Sequence, residues 1–173
     1  VAIGSRAEGG GGEPGVEHPV PGDRREGVSV GEARHALQPR LDAMAAPTLD
    51  LTASAVDLTR QLLDIPSVSD DEGPLADAIE SAIRDVPHLH VTRLGDTVVA
   101  RTELGRDRRV VIAGHIDTVP INDNVPSRFE TLGAVEYLWG RGAVDMKSGV
   151  AVQLLLAVQL AEPTVDVTWI WYD

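Results

Sequence analysis

The chain has 173 residues, a formal net charge of −12 and no cysteine. Such a length suits one domain built around a single core. An acidic chain without a basic stripe is a poor partner for nucleic acid, and without cysteine any metal must be held by His, Asp or Glu.

Residues 1–45 read as a disordered extension and residues 46–173 as the folded part. Val1–Ala43 carries the run Gly9–Gly12 with Pro14, Pro19, Pro21 and Pro39, and few apolar side chains. A segment of this kind buries too little surface to offset its ordering entropy. The glycine run is no dinucleotide fingerprint, because no strand precedes it and no helix follows. Glu32–Leu41 allows a helical turn or two. Met44, just before the first periodic element, is the expected natural start.

Leu51, Ala55, Leu58, Leu62 and Ile65 recur at helical spacing, which predicts a helix over Thr52–Asp64 with Asp50 or Thr52 as its cap. Pro66 ends it. Ser69-Asp70-Asp71-Glu72 is expected to be a solvated turn capping the next helix rather than a metal site. That helix runs over Pro74–Asp85, with Leu75, Ala78, Ile79, Ala82, Ile83 and Val86 on its apolar face. Pro87 stops it. His88 and His90 are spaced for a metal, but an exposed strand edge explains them as well. Val91–Leu94 and Thr97–Thr102 read as a hairpin about Gly95-Asp96. Arg106–Arg109 is expected to be a solvated turn.

Val110–Ala113 reads as a short buried strand leading into Gly114-His115-Ile116-Asp117-Thr118-Val119-Pro120. In extended chain, residues i and i+2 share a side, so His115 and Asp117 should lie together with Ile116 turned to the core. No period marks Pro120–Glu136, which is read as a loop beside a cleft. Tyr137-Leu138-Trp139 looks like a short strand, and Gly140 and Gly142 then permit a tight turn. A helix over Lys147–Glu162, apolar nearly all round, should be buried on several sides. Val165–Tyr172 is a strand suited to two buried faces. Lys147-Ser148 is not a phosphate-binding loop, because Met146 and Arg141 stand where that motif needs glycine.

The N-terminal residues contain no apolar stretch of signal-peptide type, and the apolar run Val150–Ala161 is shorter than the ~20 residues of a membrane span. A cytoplasmic protein without a membrane partner is expected.

Gly114-His115-Ile116-Asp117-Thr118-Val119-Pro120, followed by Gly140-Arg141-Gly142-Ala143-Val144-Asp145-Met146-Lys147-Ser148-Gly149, resembles the co-catalytic zinc metallopeptidase family of aminoacylases, acetylornithine deacetylases and succinyl-diaminopimelate desuccinylases. The loop Asn122–Arg128 is most similar to the desuccinylase branch. The resemblance implies an α/β catalytic domain with a mixed sheet flanked by helices and metal ligands at strand ends. It implies two Zn²⁺ ions, with Co²⁺ a possible substitute. His115 would bind one metal and Asp145 would bridge both. Asp117 would serve the catalytic centre without touching metal, by holding the His115 imidazole in one orientation. Arg141 and Lys147 would be structural partners of the turn.

The implied reaction is hydrolysis of N-succinyl-L,L-2,6-diaminopimelate to succinate and L,L-2,6-diaminopimelate in lysine biosynthesis. The implied partner is therefore a small N-succinyl amino acid, and the complete enzyme would be a homodimer. The family's Glu-Glu pair, later ligands and lid have no counterpart up to Asp173. The chain is thus expected to be an N-terminal fragment, inactive alone. A different deacylase or dipeptidase of the family is the nearest alternative, and a non-catalytic binding or scaffold module the next.

Overall fold

The computed structural model describes residues 47–173. The expected extension over 1–45, its glycine run, the helical turns near Glu32–Leu41 and the start at Met44 lie outside the described residues.

Two helices come first, α1 (Ala55–Leu63) and α2 (Gly73–Ile83), followed by strands β1 (His90–Leu94), β2 (Thr97–Arg101) and β3 (Arg109–His115). A ribbon of β4 (Arg128–Leu132) and β5 (Val135–Trp139) then leads to a wide turn at Ala143–Lys147, helix α3 (Ser148–Gln159) and strand β6 (Asp166–Tyr172). The main sheet has the order β1-β2-β6-β3. β2 pairs antiparallel with both β1 and β6, whereas β3 and β6 run parallel. This is the expected mixed α/β sheet. A parallel pair needs a crossover of a dozen residues or more, and α3 lies within that connection.

Register sets the core. Val98 pairs with Trp171, Ala100 with Trp169, and Ile112 with Trp169, so their side chains share one face. Val98, Ala100, Trp169 and Trp171 are fully buried there, in one cluster with Leu58 and Leu62 of α1, Leu75 and Ile79 of α2, and Leu154 and Ala157 of α3. α1 packs on α3, and α2 on β1 and β2.

Several sequence expectations are corrected. α1 is capped by Ser54, whose hydroxyl accepts from Asp57 N at 3.1 Å. Asp50 instead closes a local turn on Thr52, accepting from its amide at 2.9 Å and its hydroxyl at 2.6 Å. The Ser69–Glu72 turn caps no helix by a side chain. Glu72 is 4% exposed and accepts from Asp70 N at 2.9 Å, so its carboxylate pins the turn from inside.

β3 is an edge strand among the described residues, and Val110 and Val111 are 45% and 59% exposed rather than buried. The supposed solvated turn before it ends in structure. Arg109 opens β3 and donates to Thr102 O at 2.9 Å and Val167 O at 3.2 Å. Asp166, on β6, collects Leu104 N, Arg106 N and the Thr102 hydroxyl at 2.8–2.9 Å. The loop Pro120–Glu136 contains β4, which turns into β5 through Gly133 at φ +65°. Finally, α3 is not covered all round: Val152 is 47% and Leu156 36% exposed.

Candidate metal centre

β3 carries His115 to its carboxyl end, beside the end of β6, where Ile116 N donates to Tyr172 O at 2.7 Å. Carboxyl ends of parallel strands are where α/β sheets present ligands. Past His115 the chain leaves the sheet but stays clamped. Thr118 N donates to Ser67 O at 2.7 Å, Ser69 N to Thr118 O at 3.1 Å, and the Ser67 hydroxyl to Ile116 O at 2.7 Å. Ile116 is fully buried between these contacts, so its neighbours His115 and Asp117 turn the other way, as the alternation predicts.

The imidazole is held at both nitrogens. Its Nδ1 lies 3.0 Å from Asp117 Oδ1 and 3.2 Å from the Asp117 carbonyl, and its Nε2 lies 2.9 Å from Asp145 Oδ1. Sequence analysis placed His115 with Asp117. The structure brings Asp145, 30 residues on, to the other side of the same ring. Partial burial by itself lowers the basicity of His115. The bond to Asp145, then the Asp117 carbonyl and the two carboxylate charges, outweigh it and hold the imidazole above its ordinary value.

Asp145 reaches the ring because the wide turn is not regular helix. Its φ/ψ of −129°/99°, and the −133°/32° of Met146, interrupt the turn, and the Asp145–Met146 peptide is cis. Gly142 enters the turn at φ +85°, in the left-handed region that favours glycine. Gly140 serves differently from its expected role in turn geometry. A Cβ there would lie 2.8 Å from Leu63 Cδ1 and 3.2 Å from Ser127 Cβ, so the chain must pass close to α1.

Lys147 anchors the far side of the turn. It is 2% exposed, and its ammonium donates to Leu62 O at 3.0 Å and Ile65 O at 2.7 Å, at the carboxyl end of α1. A cation suits that end of a helix. This is the structural role expected of Lys147. Arg141 also belongs to the turn, its amide donating to Asn124 O at 3.0 Å.

A cavity of about 880 Å³ opens above His115, Asp117 and Asp145, with Tyr137, Trp139 and Arg141 in its walls. One face of the β4–β5 ribbon supplies the aromatic wall, since Glu130 pairs with Tyr137 and Arg128 with Trp139. Glu130 is in the lining too, but Arg128 donates to it at 2.6 Å and 2.7 Å. Among the described residues no group of three or more His, Cys, Asp or Glu side chains is arranged to hold a metal. What faces the cavity is a pair of donors, Nε2 of His115 and the 85% exposed carboxylate of Asp145. His88 and His90 take no part: His88 Nε2 meets Ala157 O at 2.8 Å and His90 faces Glu103 at 3.6 Å.

Sequence reasoning missed one polar neighbour of this centre. The Ser69 hydroxyl donates to Asp117 Oδ2 at 2.9 Å, across a separation of 48 residues. Only its place shortly after Ile65-Pro66-Ser67 hinted at it.

Residues 111–171 match the family described as Peptidase family M20/M25/M40. A Mycobacterium tuberculosis protein provisionally named succinyl-diaminopimelate desuccinylase DapE is 49% identical over 126 residues, covering 72% of this chain and 34% of its own. The succinyl-diaminopimelate desuccinylase of Corynebacterium glutamicum is 47% identical over 132 residues, covering 73% and 35%. The chain therefore spans about a third of the length of the curated relatives it matches. The solved structure of aminopeptidase PepT from Bacillus cereus shares the fold, with a TM-score of 0.54 at 15% identity over 71% of this chain and 36% of that one. The match over residues 111–171 takes in both Gly114–Pro120 and Gly140–Gly149, so this stretch of the chain carries the sequence of Peptidase family M20/M25/M40.

Proposed function

We propose that this chain supplies part of the centre of a divalent-metal amide hydrolase, with His115 and Asp145 as ligands and Asp117 as the residue that orients the imidazole. The observation that carries this reading is the pair of donors facing the cavity, 2.9 Å apart. Two ligands on one tetrahedral Zn²⁺, each at about 2.0–2.1 Å, stand roughly 3.3 Å from one another. A few tenths of an ångström of side-chain movement therefore admits the ion. The donor set is imidazole plus carboxylate, which suits Zn²⁺ or Co²⁺. Asp117 on Nδ1 is the outer partner that a metal-bound histidine ordinarily keeps.

When bound, the metal supplies Lewis acidity toward an amide carbonyl and toward water. The chain's own residues do the rest of what can be assigned. His115 would hold the metal through Nε2, with the Nδ1 proton held toward Asp117. Asp145 meets His115 through Oδ1 alone, so its carboxylate has an oxygen to spare and would be able to reach a second ion. Tyr137 and Trp139 give the cavity an aromatic wall against which an acyl group would lie. Given the names of the 47–49% identical relatives, the substrate we propose is N-succinyl-L,L-2,6-diaminopimelate. A two-metal site and a homodimer belong to the same proposal for the complete enzyme, as does a cytoplasmic setting.

By itself the 173-residue chain should not turn this substrate over. Asp117 and Asp145 are engaged with His115, and Glu130 with Arg128. Among the described residues that line the cavity no carboxylate is left free as a general base, a role that contributes about 10²–10⁴-fold. Isothermal titration with Zn²⁺ tests the ligand assignment: one weak site on the wild-type chain and none on His115→Ala. Unchanged binding by the variant would remove His115 from the site. Succinate release, with the Corynebacterium glutamicum relative as comparator, tests the rest. Turnover within tenfold of that comparator would refute the assignment of roles.

A further inference from the structure

Asp117 can orient His115 only if its own carboxylate is fixed, and the contact that fixes it comes from another part of the chain. Asp117 Oδ1 faces the imidazole at 3.0 Å, which leaves Oδ2 to be satisfied. The Ser69 hydroxyl donates to that Oδ2 at 2.9 Å, while its alternative acceptor, Thr118 O, stands at 3.5 Å. A hydroxyl has one proton, and the shorter bond to a charged acceptor takes it.

Ser69 is itself held. Its amide donates to Thr118 O at 3.1 Å, and Val68 bridges Thr118 in a parallel pair. Beyond it Asp70 turns at φ +73°. The Asp70 amide is caught by Glu72, which is 4% exposed. A buried acid thus sets the turn, the turn sets Ser69, and Ser69 sets the carboxylate.

We propose that Ser69 is a positioning residue of the His115 centre: through Asp117 it fixes the ring orientation and keeps the imidazole proton on Nδ1, leaving Nε2 for the metal. The inference rests on the metal-ligand reading of His115, but half of its test does not. With Ser69→Ala the carboxylate is free to rotate off Nδ1, which then keeps only the longer contact to the Asp117 carbonyl at 3.2 Å. The proton then moves toward Nε2, where Asp145 accepts it at 2.9 Å, and a metal must displace it.

Two measurements on the 173-residue chain decide the matter. Nitrogen-15 NMR of the His115 ring in metal-free buffer, above the imidazole's protonation range, reads the tautomer directly. Wild type and Ser69→Thr should be mainly Nδ1–H, and Ser69→Ala should gain Nε2–H. Co²⁺ titration should show Ser69→Ala weaker by roughly 3- to 10-fold, below the 10- to 100-fold of a direct outer partner, with Ser69→Thr within about twofold of wild type. In an Asp117→Ala background the Ser69→Ala loss should vanish, because neighbours in one network are not additive. A loss that persists there would mean that Ser69 acts through general loop stability. An unchanged tautomer and affinity in Ser69→Ala would overturn the proposal outright. Failure of wild type to bind Co²⁺ would sink the metal reading, and the tautomer comparison would still decide the part played by Ser69.

Discussion

Lys147→Met sets two effects of similar size against each other, and pH separates them. Burial pushes the Lys147 ammonium from the ordinary 10.5 down to about 8, with Asp64 pulling weakly the other way. At 1.36 kcal/mol per unit, the charge costs about 3 kcal/mol while it is kept inside. Methionine fills much the same space without that cost. It also strips the donor from Leu62 O and Ile65 O, and a buried carbonyl left unpaired costs about 1–3 kcal/mol. Near pH 7 the two proteins should therefore differ little. The folded value lies below the unfolded one, so between about pH 8 and 10.5 the unfolded chain binds more protons. Wild-type stability must rise with pH across that window. Lys147→Met has no such group, and every other titration is common to both. The stability difference should thus move by about 3 kcal/mol in favour of wild type between pH 7 and pH 10.5. Urea unfolding in metal-free buffer measures it, followed by the fluorescence of Trp169 and Trp171, both fully buried. Parallel stability curves for the two proteins would refute the claim that Lys147 is charged and buried at neutral pH.

Asp117→Ala should weaken Zn²⁺ affinity about 10- to 100-fold and His115→Ala should abolish it; equal losses in titration calorimetry would make Asp117 a ligand itself. Gly140→Ala drives a Cβ to 2.8 Å from the buried Leu63. Overpacking of that kind costs about 1–3 kcal/mol, read as a lower urea midpoint, and an unchanged midpoint would show that Leu63 moves freely. The bonds from Leu104 N, the Thr102 hydroxyl and Arg106 N, with Arg109 nearby, hold the Asp166 carboxyl below its ordinary value despite partial desolvation. That stabilisation is present at neutral pH and is lost as pH falls through the folded value. Asp166→Asn should therefore flatten the acid limb of the stability curve, and a limb as steep as wild type would place the acid sensitivity elsewhere.

Helices α1 and α2 were legible because their side chains separate into buried and exposed faces. Leu58 and Leu62 betrayed α1, Leu75 and Ile79 betrayed α2, and both are fully buried in the core. The errors have local physical causes. Asp50 and Thr52 look like caps, but they satisfy each other in a turn, the competition that short polar side chains offer the backbone. β4 was missed because neither of its faces is buried: Phe129 is 41% and Leu132 65% exposed. A strand without a buried face writes no alternation, and only the two-residue turn at Gly133-Ala134 marked the hairpin. α3 is apolar nearly all round, yet Val152 and Leu156 stay exposed among the described residues, because composition says what a face would bury and not what covers it.

The candidate centre divides along the same line. That His115 and Asp117 point together follows from the period of two and from a buried Ile116 between them. Asp145 stood out by its place between a Gly-rich turn and an apolar run, and its pairing with His115 only by resemblance, since nothing local says that residue 145 returns to within 2.9 Å of residue 115. That return depends on a turn whose backbone is not helical, on Gly140 passing against Leu63, and on Lys147 tied to the end of α1. Ser69 is a harder case. Its approach to Asp117 is made by one loop lying along another, fastened by Ser67, Thr118 and the buried Glu72. Each of those side chains reads, in sequence, as an ordinary polar residue of a turn. His115 and Asp117 are aimed from the end of a strand that carries a periodic signal, whereas the return of Asp145 and the orientation of the ring are set by an irregular turn and by loop-to-loop hydrogen bonds that carry none. Variants of Ser69 and Lys147, rather than further variants of the ligands, are therefore the ones that separate how the centre is positioned from what it binds.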